Sequence, residues 1–364
     1  MSETESQEAR TGDGPAREVH TGEARSARGA PGLASRLASL AVFGAAAVGV
    51  IQFYDPPNRV IESHGAVAIS EDKGPLALAS RNAFGRSGEV RVLFALPGEE
   101  VEYPVELRED PTGVAYAWVP ITDTTGVDGI LPEEMHPLDT SLEAPEEPGF
   151  YRLALIDGDE RMLVDGPALT VMVPFSAKLG STLNGYRIGT YVAERIGALS
   201  NDAPPGFVEV DEAMADLPLT KHLRLSDFLT HDGQDKWPRY AALDARLLDK
   251  IELVVAEIGR VTKKGDSAEV ALDVHSGFRT PIHNRRVTRA ARDSRHQYGD
   301  AADIAIDGNG DGRLTFADTR IVARAIEAVE LAHPDLVGGM GLYNRGGASY
   351  VHIDARGRRA RWRG

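Results

Sequence analysis

The chain of 364 residues contains no cysteine, and this absence restricts its chemistry first. Disulfide scaffolds, thiolate zinc sites, iron–sulfur clusters and cysteine nucleophiles are all excluded. A metal site must therefore be built from His, Asp or Glu, and the sequence holds only ten histidines. In an exported chain, the absence of cysteine is compatible with a fold that relies on its core or on metals rather than on cross-links.

Basic side chains are also scarce, since 40 Lys and Arg face 55 Asp and Glu, a formal net charge of −15. Nucleic-acid binding is not expected, because neutralising phosphates requires a basic face. The acidic excess is local: residues 55–180 hold 9 basic and 23 acidic side chains, whereas residues 181–364 hold 26 of each. This step in charge indicates two modules, and the length fits roughly two domains of ~150 residues with additional segments.

The N-terminal region carries a membrane signal. Residues 1–36 lack apolar periodicity, so we expect a disordered cytoplasmic tail. Residues 37–54 contain no charge, the shortest run that can cross a hydrocarbon core of ~30 Å. Arginines before this run predict that the following chain lies outside the cytoplasmic membrane, in the cell envelope or periplasm. A single-pass inner-membrane anchor is favoured, and a signal segment processed near Ala45–Ala47 is the alternative.

The pattern then changes to short β-type runs separated by turn residues. Over residues 58–176 it predicts an antiparallel, Ig-like β-sandwich that serves as a spacer domain. A connector follows at 177–204. The last ten residues contain five arginines around Trp362, and we expect a solvated tail in which Trp362 packs on the core.

The remaining residues, 205–364, alternate helical and strand patterns. These predict an α+β domain from four elements, a helix, a strand, a second helix and a final strand, at Tyr240–Ile258, Val270–Val274, Ala323–Leu331 and Tyr350–Asp354.

A histidine–aspartate pattern in this domain indicates a metal site. His296 and Asp303 are seven residues apart with Gly299 between them, and a loop turning at the glycine can bring the imidazole and the carboxylate together. His352, on a predicted strand, would complete three ligands. Three N/O ligands with an open position describe a catalytic zinc site, where water becomes a nucleophile near neutral pH. On spacing alone, a structural histidine is the commoner explanation for either imidazole.

Together with Ser276–Asn284, these motifs resemble the zinc D-Ala-D-Ala carboxypeptidase and murein endopeptidase family, which shares its LAS-type zinc geometry with the hedgehog signalling domain. The family patterns Ser-x-His-x-x-Gly-x-Ala-x-Asp and His-x-Asp are matched by Ser294, His296, Gly299, Ala301 and Asp303, and by His352 and Asp354. The resemblance covers about 205–364. It implies a hedgehog/D-Ala-D-Ala peptidase-like fold, zinc held by His296, Asp303 and His352, and peptidoglycan stem peptides as the substrate.

The same resemblance implies catalytic roles, with one departure. Arg279 would steady a substrate carboxylate or carbonyl oxygen, and the alternative is a salt-bridged scaffold arginine. Many family members place a Glu or Asp three residues before the second histidine as general base, whereas this chain has Ser349 there. Asp354 is the first substitute, because positions 352 and 354 of a strand point to the same side; its alternative role is to orient a ligand imidazole. His275 is another acid/base candidate.

Residues 307–318 match an EF-hand loop in their first nine positions, with Gly312 at the sharp turn. A surface turn rich in Asx and Gly is the alternative. Position twelve is Asp rather than Glu, and we expect calcium to stiffen the chain behind a zinc ligand. The predicted calcium ligands are Asp307, Asn309, Asp311, Arg313, Thr315 and Asp318.

These patterns predict a zinc-dependent metallopeptidase that cleaves peptidoglycan, as a carboxypeptidase or an endopeptidase, through metal-activated water. The alternative from another class is a non-catalytic cell-wall-binding module stabilised by zinc and calcium, with Ser349 marking a lost base. A third interpretation is an exported calcium-dependent adhesion protein.

Overall fold

A computed structural model describes residues 84–103, 113–122, 135–138, 142–164, 166–196, 201–262, 271–345 and 348–364. The predicted tail and membrane anchor at 1–54 lie outside these residues. Within the described ranges, no helix is both long enough and apolar enough to cross a membrane.

The N-terminal part of the described chain is built from strands alone up to residue 171. They are β1 Val92–Ala95, β2 Glu100–Val101, β3 Ala115–Pro120, β4 His136–Pro137, β5 Leu142–Glu143, β6 Gly149–Asp157, β7 Glu160–Leu163 and β8 Ala168–Val171. Six of them form one sheet in the order β1-β8-β6-β3-β4, with β7 also paired to β6, while β2 and β5 pair with each other. Strand β1 runs parallel to β8, so the sheet is mixed. The other pairings in this sheet are antiparallel, as predicted. The parallel pair was not predicted, because side-chain alternation does not encode strand direction.

Two hydrophobic clusters hold this region in place. One lies between the two sheets and includes Val101, Trp118 and Leu153. The other continues from Val92 and Phe150 into the C-terminal residues. A backbone hydrogen bond also joins the N-terminal sheet to the C-terminal residues, since the Arg91 N–H donates to the Leu219 carbonyl over 2.9 Å. The N-terminal sheet therefore shares a core with the domain that follows it.

The C-terminal part combines helices with three sheets. Its helices are α1 Ala193–Ile196, α2 Ala245–Val261, α3 Pro281–Asn284 and α4 Phe316–Ala332, and short 3-10 turns lie at Phe175–Ala177, Glu212–Met214, Leu225–Phe228, Arg295–Tyr298 and Pro334–Leu336. Two small sheets have the orders β10-β11 and β13-β12-β9. Their strands are β9 Val173–Pro174, β10 Thr182–Leu183, β11 Tyr186–Arg187, β12 Gly206–Val210 and β13 Arg239–Ala241.

The third sheet positions the candidate site. It has five strands in the order β14-β15-β17-β16-β18, and these are β14 Leu272–Ser276, β15 Ala301–Ile306, β16 Gly339–Arg345, β17 Ala348–Asp354 and β18 Ala360–Arg363. All six residues of β15 are buried, as expected for a strand in the middle of a covered sheet. The register of β15 against β17 places Asp303 opposite His352.

The two long helices differ from their predicted bounds at the N-terminal end. Helix α2 begins after Asp244, whose side chain accepts the Arg246 N–H, because residues 239–241 pair with β12 instead. Helix α4 begins well before Ala323, because Thr315 and Asp318 form a capping box at its start.

Three of the five terminal arginines, Arg358, Arg359 and Arg363, are exposed as predicted, but the segment is not a free tail, because residues 360–363 add an edge strand parallel to β16. Charge pairing explains why so basic a segment folds back. The Arg361 guanidinium donates to both Glu327 and Glu330, and Arg359 donates to Glu327. Trp362 is partly buried and donates through Nε1 to the Tyr343 hydroxyl over 2.8 Å.

Gly299 should be far less tolerant of substitution than other glycines with the same backbone conformation. Its φ is +78°, and a Cβ would lie within 2.5 Å of the backbone of Ala242 and Leu243. We expect Gly299→Ala to lower the free energy of unfolding by about 2–3 kcal/mol. Gly357→Ala is the matched control, because its φ is +77° with nothing within 4 Å, and it should cost about 1 kcal/mol. Equal losses in urea denaturation would refute the close approach at Gly299.

Candidate metal centre

Three side chains from separate elements converge at one point. His296 comes from the 3-10 turn Arg295–Tyr298, Asp303 from β15 and His352 from β17. His296 Nε2 lies 3.2 Å from Asp303 Oδ1 and 3.1 Å from His352 Nδ1, and the last two atoms are 3.0 Å apart. All three residues are buried. In the part of the chain that the structure describes, this is the only group of three or more such side chains that could hold a metal ion.

The local fold explains how residues seven apart meet. The 3-10 turn ends at Gly299 in the left-handed conformation, which glycine adopts without steric cost, and the chain reverses there into β15. The Arg279 N–H donates to the His296 carbonyl over 3.0 Å and fixes the other end. The predicted turn at the glycine is thus observed.

Hydrogen bonds fix which imidazole nitrogen faces the shared point. His296 Nδ1 lies 2.7 Å from the Gly277 carbonyl oxygen. Because a carbonyl oxygen only accepts, Nδ1 must carry the proton, and Nε2 keeps its lone pair. On the opposite edge of the other ring, His352 Nε2 lies 3.1 Å from Asp354 Oδ2. That contact leaves His352 Nδ1 directed at Asp303 and His296.

The electrostatics of the group favour a cation. Burial lowers the pKa of His296 below its usual value. Burial also disfavours a charge on His352, but its hydrogen bonds to Asp303 and Asp354 outweigh that effect and raise its pKa. Burial alone would raise the pKa of Asp303. Its hydrogen bonds and electrostatic attraction to the two histidines outweigh burial and hold the pKa of this carboxyl well below its usual range. The site therefore contains a buried, negatively charged carboxylate beside two imidazoles whose pKa values are shifted in opposite directions.

The residues present fit zinc. Two imidazoles and one carboxylate are the donor set of a catalytic zinc site, with bonds of ~2.0–2.2 Å. Tetrahedral coordination at those lengths separates two donor atoms by about 3.3 Å, close to the 3.0–3.2 Å found here. The other ring nitrogen of each ligand imidazole forms a hydrogen bond to an acceptor oxygen. Such a bond is the usual support for a metal-bound histidine.

A cavity of about 1010 Å³ opens beside the three ligands, which all contribute to its lining. One wall is aromatic. Tyr343 and Tyr350 stack with ring centroids 4.7 Å apart, and Trp362 lies 5.0 Å from the His352 ring. The sequence motifs do not indicate this wall, because Tyr343 and Tyr350 meet only through the pairing of β16 with β17.

Arg279 lies at the site. Its Nη2 donates to Asp303 Oδ2 and its Nε to Ser276 Oγ over 2.7 Å. Arg279 therefore grips the carboxylate oxygen that faces away from the histidines. It also lines the cavity, so N–H groups not engaged in these bonds can reach a bound molecule.

The two general-base candidates, Asp354 and His275, lie away from the point shared by the three donor atoms. Asp354 is fully buried and accepts from His352 Nε2, from the Gly339 N–H over 2.7 Å and from the Arg356 guanidinium. It therefore lies on the far side of the His352 ring from the donor group. His275 pairs with Asp273 at 2.9 Å and packs on Tyr350, outside the cavity lining.

Ser349, at the position of the family's usual general base, is buried and donates to Asn344 Oδ1 over 3.3 Å.

In the predicted calcium loop, the carboxylates accept hydrogen bonds from the loop's own backbone N–H groups. Asp307 accepts the N–H groups of Gly310, Asp311 and Gly312, and Asp318 accepts from Asn309 and Thr315. The Asp311 carboxylate accepts the Arg313 N–H. These are turn bonds that a loop forms with or without an ion, so calcium binding stays a prediction.

Comparison with known families adds to this geometry. Residues 221–362 match the family model described as peptidoglycan L,D-endopeptidase MepK. The resemblance predicted from the motifs is confirmed. The match contains His296, Asp303 and His352 but covers less than half of the chain, and the N-terminal sheet lies outside it. No curated protein and no solved structure matches the chain significantly. The match supports peptidoglycan peptidase activity for residues 221–362.

Proposed function

We propose that this chain is a zinc-dependent peptidase that hydrolyses peptide bonds of peptidoglycan. The observation that carries the proposal is the convergence of His296 Nε2, Asp303 Oδ1 and His352 Nδ1 beside a cavity. The peptidoglycan substrate is supported by the family match. Membrane anchoring by residues 37–54 and calcium binding at 307–318 remain part of the proposal.

Each of the three proposed metal ligands has a hydrogen-bond partner that orients it. The Gly277 carbonyl orients His296, Asp354 orients His352, and Arg279 orients Asp303. A bound zinc ion supplies a Lewis acid for the scissile carbonyl and lowers the pKa of water toward neutrality. Arg279 has a second role, because its remaining N–H donors can stabilise the oxygen on which negative charge develops.

The bond cleaved is the finer part of the proposal. The description of the matching family favours an L,D-endopeptidase acting within cross-links, while carboxypeptidase cleavage of a terminal D-Ala is the alternative. Comparing cross-linked dimers with uncross-linked pentapeptides as substrates distinguishes the two activities, since an endopeptidase converts only the dimers to monomers.

The purified full chain should convert cross-linked muropeptides to smaller products. The products should disappear when a chelator removes the metal and return when zinc is added. A chain that holds one equivalent of zinc and shows no turnover would overturn the proposal in favour of a binding module.

Asp354→Asn separates two roles for this residue. If Asp354 orients His352, loss of its charge should weaken zinc binding by about 10–100-fold, measured by competition with a chromophoric chelator. Once zinc is saturating, kcat should stay within a few-fold of wild type. If Asp354 were the general base, the opposite result would follow, with zinc affinity unchanged and kcat strongly reduced.

A further inference from the structure

The cavity beside the metal ligands is lined by far more positive than negative charge, although the whole chain is acidic. Its lining includes only two acidic side chains, Asp293 and Asp303, among the described residues. It includes five arginines, Arg279, Arg289, Arg295, Arg356 and Arg358.

Three of these arginines already have buried partners. Arg279 donates to Asp303. Arg295 donates through Nε to both oxygens of Asp300 at 2.9 Å. Arg356 donates through Nε to both oxygens of Asp354 at 2.8 and 2.9 Å. Their charges are neutralised within the fold.

Arg289 and Arg358 are different. Both are exposed at the cavity, and neither side chain forms an ion pair or hydrogen bond with any other described residue. They come from separate segments, Arg289 after α3 and Arg358 between β17 and β18. Two guanidinium groups that have no charged partner among the described residues thus border one cavity.

The backbone at Arg289 strengthens the case. Its φ is +63°, one of only two positive values among the described non-glycine residues. This conformation is costly for a residue with a Cβ, and such outliers concentrate at binding sites where the surrounding structure maintains them.

Because these charges line the same cavity as the three proposed metal ligands, we propose that Arg289 and Arg358 form a carboxylate-recognition subsite. The inference rests on the proposed function and refines its substrate class: stem peptides with free carboxyl groups are preferred over peptides in which these groups are amidated. A guanidinium matches a carboxylate with two parallel N–H···O bonds, whereas a carboxamide offers one oxygen and no charge.

Two synthetic cross-linked peptide dimers, identical except that one carries free carboxyl groups and the other carboxamides, test this subsite. With the zinc-loaded full chain, kcat/KM for the free acid should exceed that for the amide by about tenfold. The double variant Arg289→Gln/Arg358→Gln should bring the ratio near one, mainly by raising KM for the free acid. Lysine at both positions should restore part of the preference.

Arg286→Gln is the matched control, since this exposed arginine follows the same helix but does not line the cavity; its ratio should equal that of wild type. A wild-type ratio near one, or an unchanged ratio in the double variant, would overturn the subsite while leaving the peptidase intact. If neither dimer is cleaved, calorimetric binding of the two dimers decides the question. Preferential binding of the acid that the double variant loses supports the subsite although the peptidase fails, and equal binding overturns both.

Discussion

Replacing His296 by alanine should abolish hydrolysis of cross-linked muropeptides, with a fall in kcat/KM of at least about 10³-fold. The variant loses one of three ligands, and metal activation contributes several kcal/mol to transition-state stabilisation, where every 1.36 kcal/mol corresponds to a factor of ten in rate. Zinc content measured on the same sample should fall from one equivalent toward zero. The fold should persist, because the sheet around His296 is held by a buried hydrophobic cluster that does not include His296.

His333→Ala is the control for this variant. His333 ends helix α4 and lies outside the metal group, so its zinc content and rate should equal those of wild type. His275→Ala provides a second comparison, since His275 is half-exposed and outside the cavity lining. Wild-type rates in His296→Ala would contradict the assignment of the active site.

Lys250→Met should destabilise the chain by at least about 3 kcal/mol. Lys250 is fully buried in α2, where its Nζ donates to Glu330 over 2.8 Å and to the Asp354 carbonyl over 2.7 Å. Removing one partner of a buried ion pair leaves an uncompensated charge, at a cost of about 3–5 kcal/mol. The lower end applies because Arg361 also faces Glu330. Urea denaturation measures the loss.

Two further variants test the reason for that loss. Lys250→Met/Glu330→Gln should recover part of the stability, because a neutral amide then replaces the buried Glu330 carboxylate that has lost its Lys250 partner. Lys221→Met should change stability by less than about 1 kcal/mol, since Lys221 is exposed and 4.0 Å from its partner Glu89. A Lys250→Met chain as stable as Lys221→Met would show that the buried pair does not support the sheet beneath the metal centre.

Of the three metal ligands, only the approach of His296 to Asp303 follows from local spacing, because Gly299 marks a turn between them. His352 lies 49 residues beyond Asp303, and spacing alone favours a structural role for either histidine. The family resemblance then added what spacing alone does not give, namely that the three side chains belong to one site.

The role of Asp354 shows where such reasoning stops. Positions 352 and 354 do share one face of β17, yet the two nitrogens of His352 lie on opposite edges of its ring. The structure directs Nδ1 to Asp303 and Nε2 to Asp354, and strand periodicity does not distinguish these edges. The position of His275 was likewise not predictable from alternation, because the β14–β15 register shifts between Val274 and Ser276, and its acid/base role stays a prediction.

Long-range charge pairing was also invisible in the sequence. Arg359 and Arg361 look like a solvated basic tail until α4 supplies Glu327 and Glu330. Arg295, Arg356 and Arg358 likewise resemble one another in sequence, and only the fold separates the paired from the unpaired. The strand bounds of β16 and β18 depend on the same tertiary contacts.

X-ray absorption at the zinc edge of the metal-loaded full chain is the decisive test of the three-ligand zinc site. We expect one zinc per chain with two imidazole nitrogens at ~2.0–2.1 Å and carboxylate or water oxygens completing about four ligands. His352→Ala should lose one imidazole contribution from the spectrum, or the metal itself. A zinc environment without histidine, or one that His296→Ala and His352→Ala both leave unchanged, would show that these residues do not bind the metal.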